Sequence, residues 1–453
     1  MSINLIRECK GIIGLKHGNL INSLCYFFLL FLIIGFNLFA KSFSKLHMTF
    51  LGIPIYITET IIIFIFVLCL LRVLFVDDGK LILRSPLKLE FILFYLIFFI
   101  SLFTGFFLYQ DLAYILRQSA LFYYSIFYFL VILTLSHIGN LRLKFIFVLF
   151  FSSCNIVAFL YILNLLGIKI SIKGLGSAGY FYISLLLIIE FVYLTYLKRS
   201  ILRTIFFIDT LLLLVVTILY GVRGNWVAVL ITIFSIWLLF VIIPGLKREF
   251  NNFNVIIFSF VPIIIFFGVL LSVDKPDLLL KIKEEFLSFF NILSGRTLPS
   301  INARWRLITW REMFDGILGR PVFGYGFGKK FISQTTLNLG WTTGLEEGWV
   351  EAHNYCLSFL YRSGFLGLGA FFMIIGSFFK KIVSFLRICK EEKIKIIIIS
   401  LLCCIIYILV LGFFEVVLEI PYLGSFLWII MGLVIVIINN YSDSENRLKY
   451  HFN

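Results

Sequence analysis

IKIIIISLLCCIIYILVLGFF, residues 394–414, runs for 21 positions with Lys395 as its one charged side chain. A helix of about 20 apolar residues is what crosses a hydrocarbon layer, whereas a barrel strand needs about 10 residues of alternating polarity. Nothing in this stretch alternates. Working outward, the same pattern recurs at roughly 21–40, 53–76, 90–108, 112–135, 145–167, 178–197, 204–220, 225–244, 254–272, 355–378 and 420–439. That makes about 12 transmembrane helices and predicts an all-α polytopic membrane protein. Composition agrees: the 453 residues are 61% hydrophobic and 14% charged, and the mean hydropathy is +1.05. A soluble domain carries about a quarter charged residues. The first span has no small-residue cleavage site and is followed by further spans, so no cleavable signal is expected.

The net charge of +15 invites a nucleic-acid reading, but the distribution of the cations argues against one. With the N-terminus taken as cytoplasmic, the tails and loops on that side hold 22 Lys and Arg, and the short loops opposite hold five: Lys41, Lys45, Lys169, Lys173 and Arg223. This is the positive-inside asymmetry. It predicts both termini in the cytoplasm and a large outer loop between spans 9 and 10. The expected organisation is residues 1–272 with spans 1–9, an outer catalytic loop at 273–354, and 355–453 with spans 10–12. An outer loop of about 80 residues with structure of its own is usually functional. The eight cysteines show neither disulfide nor zinc spacing and read as small apolar fillers.

The loop divides into three parts. Residues 277–293 (DLLLKIKEEFLSFFNIL) pattern as an amphipathic interfacial helix. Residues 302–318 (NARWRLITWREMFDGIL) pattern as a second helix, ended by Gly319 and Pro321. Then follow GRPVFGYGFGKKF and a polar stretch leading to His353. On the second helix, Arg304 and Arg311 share one face, while Arg306 and Trp310 share another. Guanidinium forks bind phosphate oxygens bidentately, so outer arginines suggest a diphosphate ligand, set against ordinary surface pairing with acids such as Glu312 or Glu346. Arg223, a cation in the short outer turn YGVRGN, runs against the charge bias and favours function. Arg117 opens span 4 on the outer side and is a further candidate. Gly324 and Gly326 permit close backbone approach to a ligand. His353 stands where the loop re-enters the membrane, placed to take a proton from a hydroxyl. His17, His47, His137 and His451 read as span-end or tail residues. Glu190 and Asp209 lie in spans near Lys198, Arg199 and Arg203 and are expected to form a structural ion pair. Glu415 and Glu419 flank the last outer turn, placed to orient His353 or an arginine.

Three features resemble the O-antigen ligase and O-antigen polymerase superfamily of bacterial envelope glycosyltransferases. His353-Asn354 is followed after nine residues by Gly364-Phe365-Leu366-Gly367, similar to that family's histidine motif. Arg223 occupies the turn opening span 8. Arg306 and Trp310, followed by Arg320-Pro321 and then Gly324, Gly326 and Gly328, resemble the arginine, tryptophan and Pro–Gly pattern of the family's large periplasmic loop. The resemblance implies a membrane glycosyltransferase (GT-C-like) fold in the bacterial inner membrane with the active loop periplasmic. It implies metal-independent, inverting transfer, without a cofactor, from a glycan on undecaprenyl diphosphate. His353 would be the catalytic base, with Arg223, Arg306, Arg304 and Arg117 binding the diphosphate. Arg311, Trp310, Gly324, Gly326, Asn354 and Arg362 would support them. The outer loop holds no Asp-x-Asp for a metal, so cations must meet the leaving-group charge. The acceptor is either another lipid-linked repeat unit, as in a polymerase, or lipid A–core, as in a ligase; the composition leans to a polymerase. A chain-length regulator is a further expected partner. A lipid-linked oligosaccharide flippase is the competing class, disfavoured because the cations sit at the outer face and not at the midplane.

Overall fold

The computed structural model describes residues 2–50, 53–75, 87–136, 140–165, 168, 176, 178–197, 200–243, 246, 252–254, 301–338 and 351–451. Their regular structure is helical apart from one antiparallel hairpin, β1 (His47–Phe50) with β2 (Ile53–Tyr56). The helices are α1 (Ser2–Ser44), α2 (Ile57–Phe75), α3 (Lys88–Leu108), α4 (Leu112–Tyr123), α5 (Ile126–Leu135), α6 (Asn140–Leu165) and α7 (Gly179–Tyr196). After them come α8 (Ile201–Leu219), α9 (Arg223–Ile242), α10 (Ile301–Leu318), α11 (Gln334–Asn338), α12 (Tyr355–Ile388), α13 (Glu392–Leu411) and α14 (Pro421–His451). Among the described residues nine helices are long and apolar enough to cross a membrane, and α4 with α5 forms a bent pair that passes the same test together. The protein is a polytopic, all-α membrane protein. The expected span at 254–272 and the helix at 277–293 lie outside the described residues.

Two expected spans take a different form. The stretch 53–76 opens as strand β2, and its helix starts only at Ile57. Pro54, paired with Thr49, has no N–H to give a helix, and β-branched neighbours favour extended backbone. The stretch 112–135 breaks at Tyr124 and Ser125, where Phe127 N and Tyr128 N reach back only three residues, to Tyr124 O and Ser125 O. Apolar composition is blind to such a break because both halves remain lipid-compatible.

The chain packs as two compact units: residues 1–88, 124–182 and 421–453 in one, and 89–123 and 183–420 in the other. In the first, α14 packs on α5 where Gly432 brings the backbones together; a Cβ there would stand 2.8 Å from Val131 Cβ. Small residues at such crossings are the usual means of close helix packing in lipid. Asn37 Nδ2 donates to Ser153 Oγ at 3.0 Å, a buried bond joining α1 and α6.

The second unit carries every residue of the candidate site. Helix α8 shows the expected division: Ile201, Ile205 and Ile208 are exposed, as lipid-facing residues should be, while Thr210, Leu213 and Thr217 turn inward. Fully buried Glu190 takes a hydrogen bond from Thr210 Oγ1 at 3.2 Å, with the Asp209 carboxyl as its other polar neighbour. Of the bases expected to pair with Glu190 or Asp209, Lys198 and Arg199 lie outside the described residues. A buried carboxyl needs hydrogen-bond partners, and the Thr210 hydroxyl on the neighbouring helix α8 supplies one.

Helix α9 crosses α13 around Asn225, also fully buried. Its Nδ2 donates to Ser184 Oγ at 3.0 Å, and Tyr407 OH donates to its Oδ1. With no water inside a bilayer to compensate, such a bond fixes the register of α7, α9 and α13. It thereby fixes the start of α9, which is Arg223. Helix α10 lies on α12 through Met313, Ile317, Ala352, Leu360 and Tyr361.

Candidate active site

The approach to α12 is set by Asn354, whose Oδ1 accepts from Cys356 N at 3.0 Å and Leu357 N at 3.3 Å. This is an N-cap, and it halts the loop one residue after His353. His353 has φ +48°, a left-handed backbone that side-chain-bearing residues seldom adopt outside functional sites. Its ring meets Trp305 edge to face, centroids 5.4 Å apart. Trp310 Nε1 donates to Ala352 O at 2.6 Å, tying α10 to the residue before the histidine.

His353 Nδ1 stands 3.6 Å from Glu415 Oε2, close enough to feel the charge and too far for a full hydrogen bond. The other oxygen of the same carboxylate, Oε1, receives Arg306 Nη2 at 3.2 Å. Burial works against ionisation of Glu415, but His353 and Arg306 outweigh it and hold the carboxyl below its ordinary range. Glu351 shifts the other way. Its burial, reinforced by the Glu419 carboxylate, raises it against the pull of Arg117, Arg362 and His353. Arg117 Nη2 nonetheless reaches Glu351 Oε1 at 2.6 Å.

Arg362, in the second turn of α12, is buried against Glu419 at 2.8 Å; their side chains are 8% and 10% exposed. Removing one partner of such a pair leaves an uncompensated charge, while removing both with apolar side chains costs far less. Glu419→Gln is expected to destabilise the protein by about 2–3 kcal/mol, below the deep-interior range because the pair sits near a span end. The double variant Arg362→Met/Glu419→Leu should recover most of that loss. Thermal melting in detergent checks both, and equal melting of the single and double variants would refute the pairing.

Gly224, next to Arg223, packs so that a Cβ would lie 2.9 Å from the Cβ of Phe414, the neighbour of Glu415. Arg223 and His353 therefore share one end of the unit. On α10, Arg306 and Trp310 are half-buried on the His353 side, while Arg304 and Arg311 are exposed on the other face. The predicted division of faces holds, and it moves Arg304 and Arg311 away from His353.

Gly324 and Gly326 do approach backbone closely, but the backbone is the protein's own. A Cβ on Gly324 would lie 2.6 Å from Arg362 C, and one on Gly326 would lie 3.0 Å from Ser101 O. The space that the sequence reserved for a ligand is filled by α12 and α3. Helix α12 breaks at Gly364, φ +66°. Tyr325 N and Gly326 N bond the freed Tyr361 and Arg362 carbonyls, each at 2.9 Å, and Phe365 N bonds Pro321 O at 2.8 Å. Gln118 secures the far end of the segment, donating to Lys329 O at 3.0 Å and accepting from Gly328 N at 2.7 Å. The glycine motif thus serves as a strap across a broken helix.

Sequence reasoning passed over Glu351, Trp305 and Gln118. Each had a visible signal: Glu351 is two residues before His353, Trp305 sits between two arginines, and Gln118 follows Arg117. Glu415 and Glu419 were placed in the right turn without a definite partner, and the structure assigns them His353 with Arg306, and Arg362, respectively.

No curated protein matches the chain significantly. Residues 209–372, a stretch that includes Arg223, Arg306, His353 and Gly364, match the model of a family described as O-antigen ligase.

Proposed function

We propose that the protein is an inverting glycosyltransferase drawing on a glycan linked to undecaprenyl diphosphate, and that it polymerises such repeat units at the periplasmic face of the inner membrane. The observation that carries this is the single carboxylate of Glu415, which holds the imidazole of His353 and the guanidinium of Arg306 at one end of the unit where Arg223 opens α9. A base and two cations there match an attack in which a hydroxyl is deprotonated while a phosphate leaves. Glu415 favours the tautomer with the proton on Nδ1, so Nε2 is the acceptor. His353 Nε2 takes the acceptor hydroxyl proton, the oxygen attacks the anomeric carbon, and the bond from that carbon to the diphosphate oxygen breaks on the opposite face. Arg306 and Arg223 meet the charge that develops on the leaving group, so these cations fill the role a metal plays elsewhere. Both termini lie in the cytoplasm in this arrangement, and a chain-length regulator is a natural partner of the growing polymer.

The description of the matched family favours a second reading, a ligase that passes the glycan to lipid A–core. Purified protein in detergent, given lipid-linked repeat units, should yield a ladder of longer lipid-linked products. A ligase would yield product only once lipid A–core is added. Cell envelopes lacking the protein separate the two again: single repeats on core mark a lost polymerase, bare core a lost ligase. Absence of any glycan transfer in both mixtures would remove the proposal.

A further inference from the structure

We infer that Arg306 is a latch on the base: a bound diphosphate draws Arg306 away from Glu415, and Glu415 then closes fully onto His353. The inference rests on the reading of the site given above and adds an order to it, with the donor seated before the acceptor hydroxyl is activated.

Glu415 is divided between two partners, one oxygen to each. Its contact with His353, at 3.6 Å, is incomplete, and Nδ1 has no hydrogen bond. The imidazole therefore stands beside a carboxylate that is committed elsewhere. A second acid that feels the ring is Glu351, on its own segment, itself engaged with Arg117. Among the described residues of this unit, three arginine–carboxylate pairs are formed, and they differ in how readily they exchange. Arg362–Glu419 is buried at 2.8 Å, and Arg117–Glu351 is the shortest at 2.6 Å although the Arg117 side chain is 58% exposed. Arg306–Glu415 is the longest at 3.2 Å, and both side chains keep about a quarter of their surface in solvent, 27% and 23%. A partly hydrated pair of this kind is worth little. A diphosphate offers a guanidinium fork more charge and more acceptor oxygens, so it wins the exchange. Of the three pairs, Arg306–Glu415 alone shares its carboxylate with His353.

Coupling of this sort is reciprocal: if diphosphate frees Glu415, then Glu415 must oppose diphosphate. Inorganic pyrophosphate binding to the full-length protein in detergent, followed by calorimetry, reads this without any need for turnover. Glu415→Gln is expected to bind pyrophosphate about two- to fivefold more tightly than wild type, the range set by a partly exposed ion pair. The tightening should vanish when Arg306→Gln is already present. In turnover with saturating lipid-linked donor, Glu415→Gln should lose about tenfold or more in kcat while the donor KM falls. A merely structural role would raise KM instead. Should Glu415→Gln fail to fold, Glu415→Asp retracts the carboxylate by one methylene and should show the same tightening at smaller size. Wild-type binding that Glu415→Gln leaves unchanged or weakens, or a tightening that survives in the Arg306→Gln background, overturns the latch and leaves the glycosyltransferase reading intact. No pyrophosphate binding to the wild type overturns both.

Discussion

His353→Ala is expected to lower glycan transfer by about 10²- to 10⁴-fold, the usual contribution of a positioned general base. The protein should stay in the membrane with its melting temperature close to wild type. The imidazole is only partly buried, with 30% of its side chain exposed, and among the described residues its ring makes one aromatic contact, to Trp305. Little folding energy is therefore at stake. A small structural role and a large catalytic one predict different outcomes, and this separates them. Product per molecule of purified protein decides the matter. If His353→Ala keeps more than about a tenth of wild-type transfer, the base assignment is lost.

Gly364→Ala should produce the largest loss of stability. Gly364 sits at φ +66°, and an added Cβ would fall 2.1 Å from Val322 O and 2.3 Å from Val322 C. Left-handed backbone costs a side-chain-bearing residue about 1–2 kcal/mol, and overpacking against fixed atoms adds about 1–3 kcal/mol. The clash is with backbone, so relief must displace the strap from the break in α12. That would free the carbonyls of Tyr361 and Arg362 and loosen the buried contact of Arg362 with Glu419. The expected cost is about 3–5 kcal/mol, with transfer activity lost alongside it. Gly369→Ala, one and a half turns further along the same helix, is the control. Nothing lies within 4 Å of its added Cβ, and alanine in a helix is worth up to about 1 kcal/mol over glycine. Melting in detergent should therefore move in opposite directions for two glycines five positions apart. If both variants melt alike, the strap carries no weight.

The two variants also show which parts of the molecule can be read from sequence. Gly364 and Gly369 are both glycines in one apolar helix, and nothing local tells them apart. The difference comes from Val322 and Phe323, about 40 residues away, which press against one and not the other. The same holds for Gly324 and Gly326, which in sequence resemble a ligand cradle and in the structure grip α3 and α12.

What the sequence determined by itself was the membrane class, the approximate limits of most spans, the α10 helix ending at Gly319 and Pro321, and the position of His353 and Arg223 at the start of a span. Spans follow from the cost of placing each segment in hydrocarbon, a local property of about 20 neighbouring residues. A cation or histidine at a span end stands out for the same local reason. Only the tertiary structure decided which charges meet: Glu415 with His353 and Arg306, Glu419 with Arg362, and Glu351 with Arg117. Those partners lie 57 to 234 residues apart in the chain. Their meeting depends on how packed helices set the ends of one another, through contacts such as Asn225 with Tyr407, and hydropathy carries no record of that.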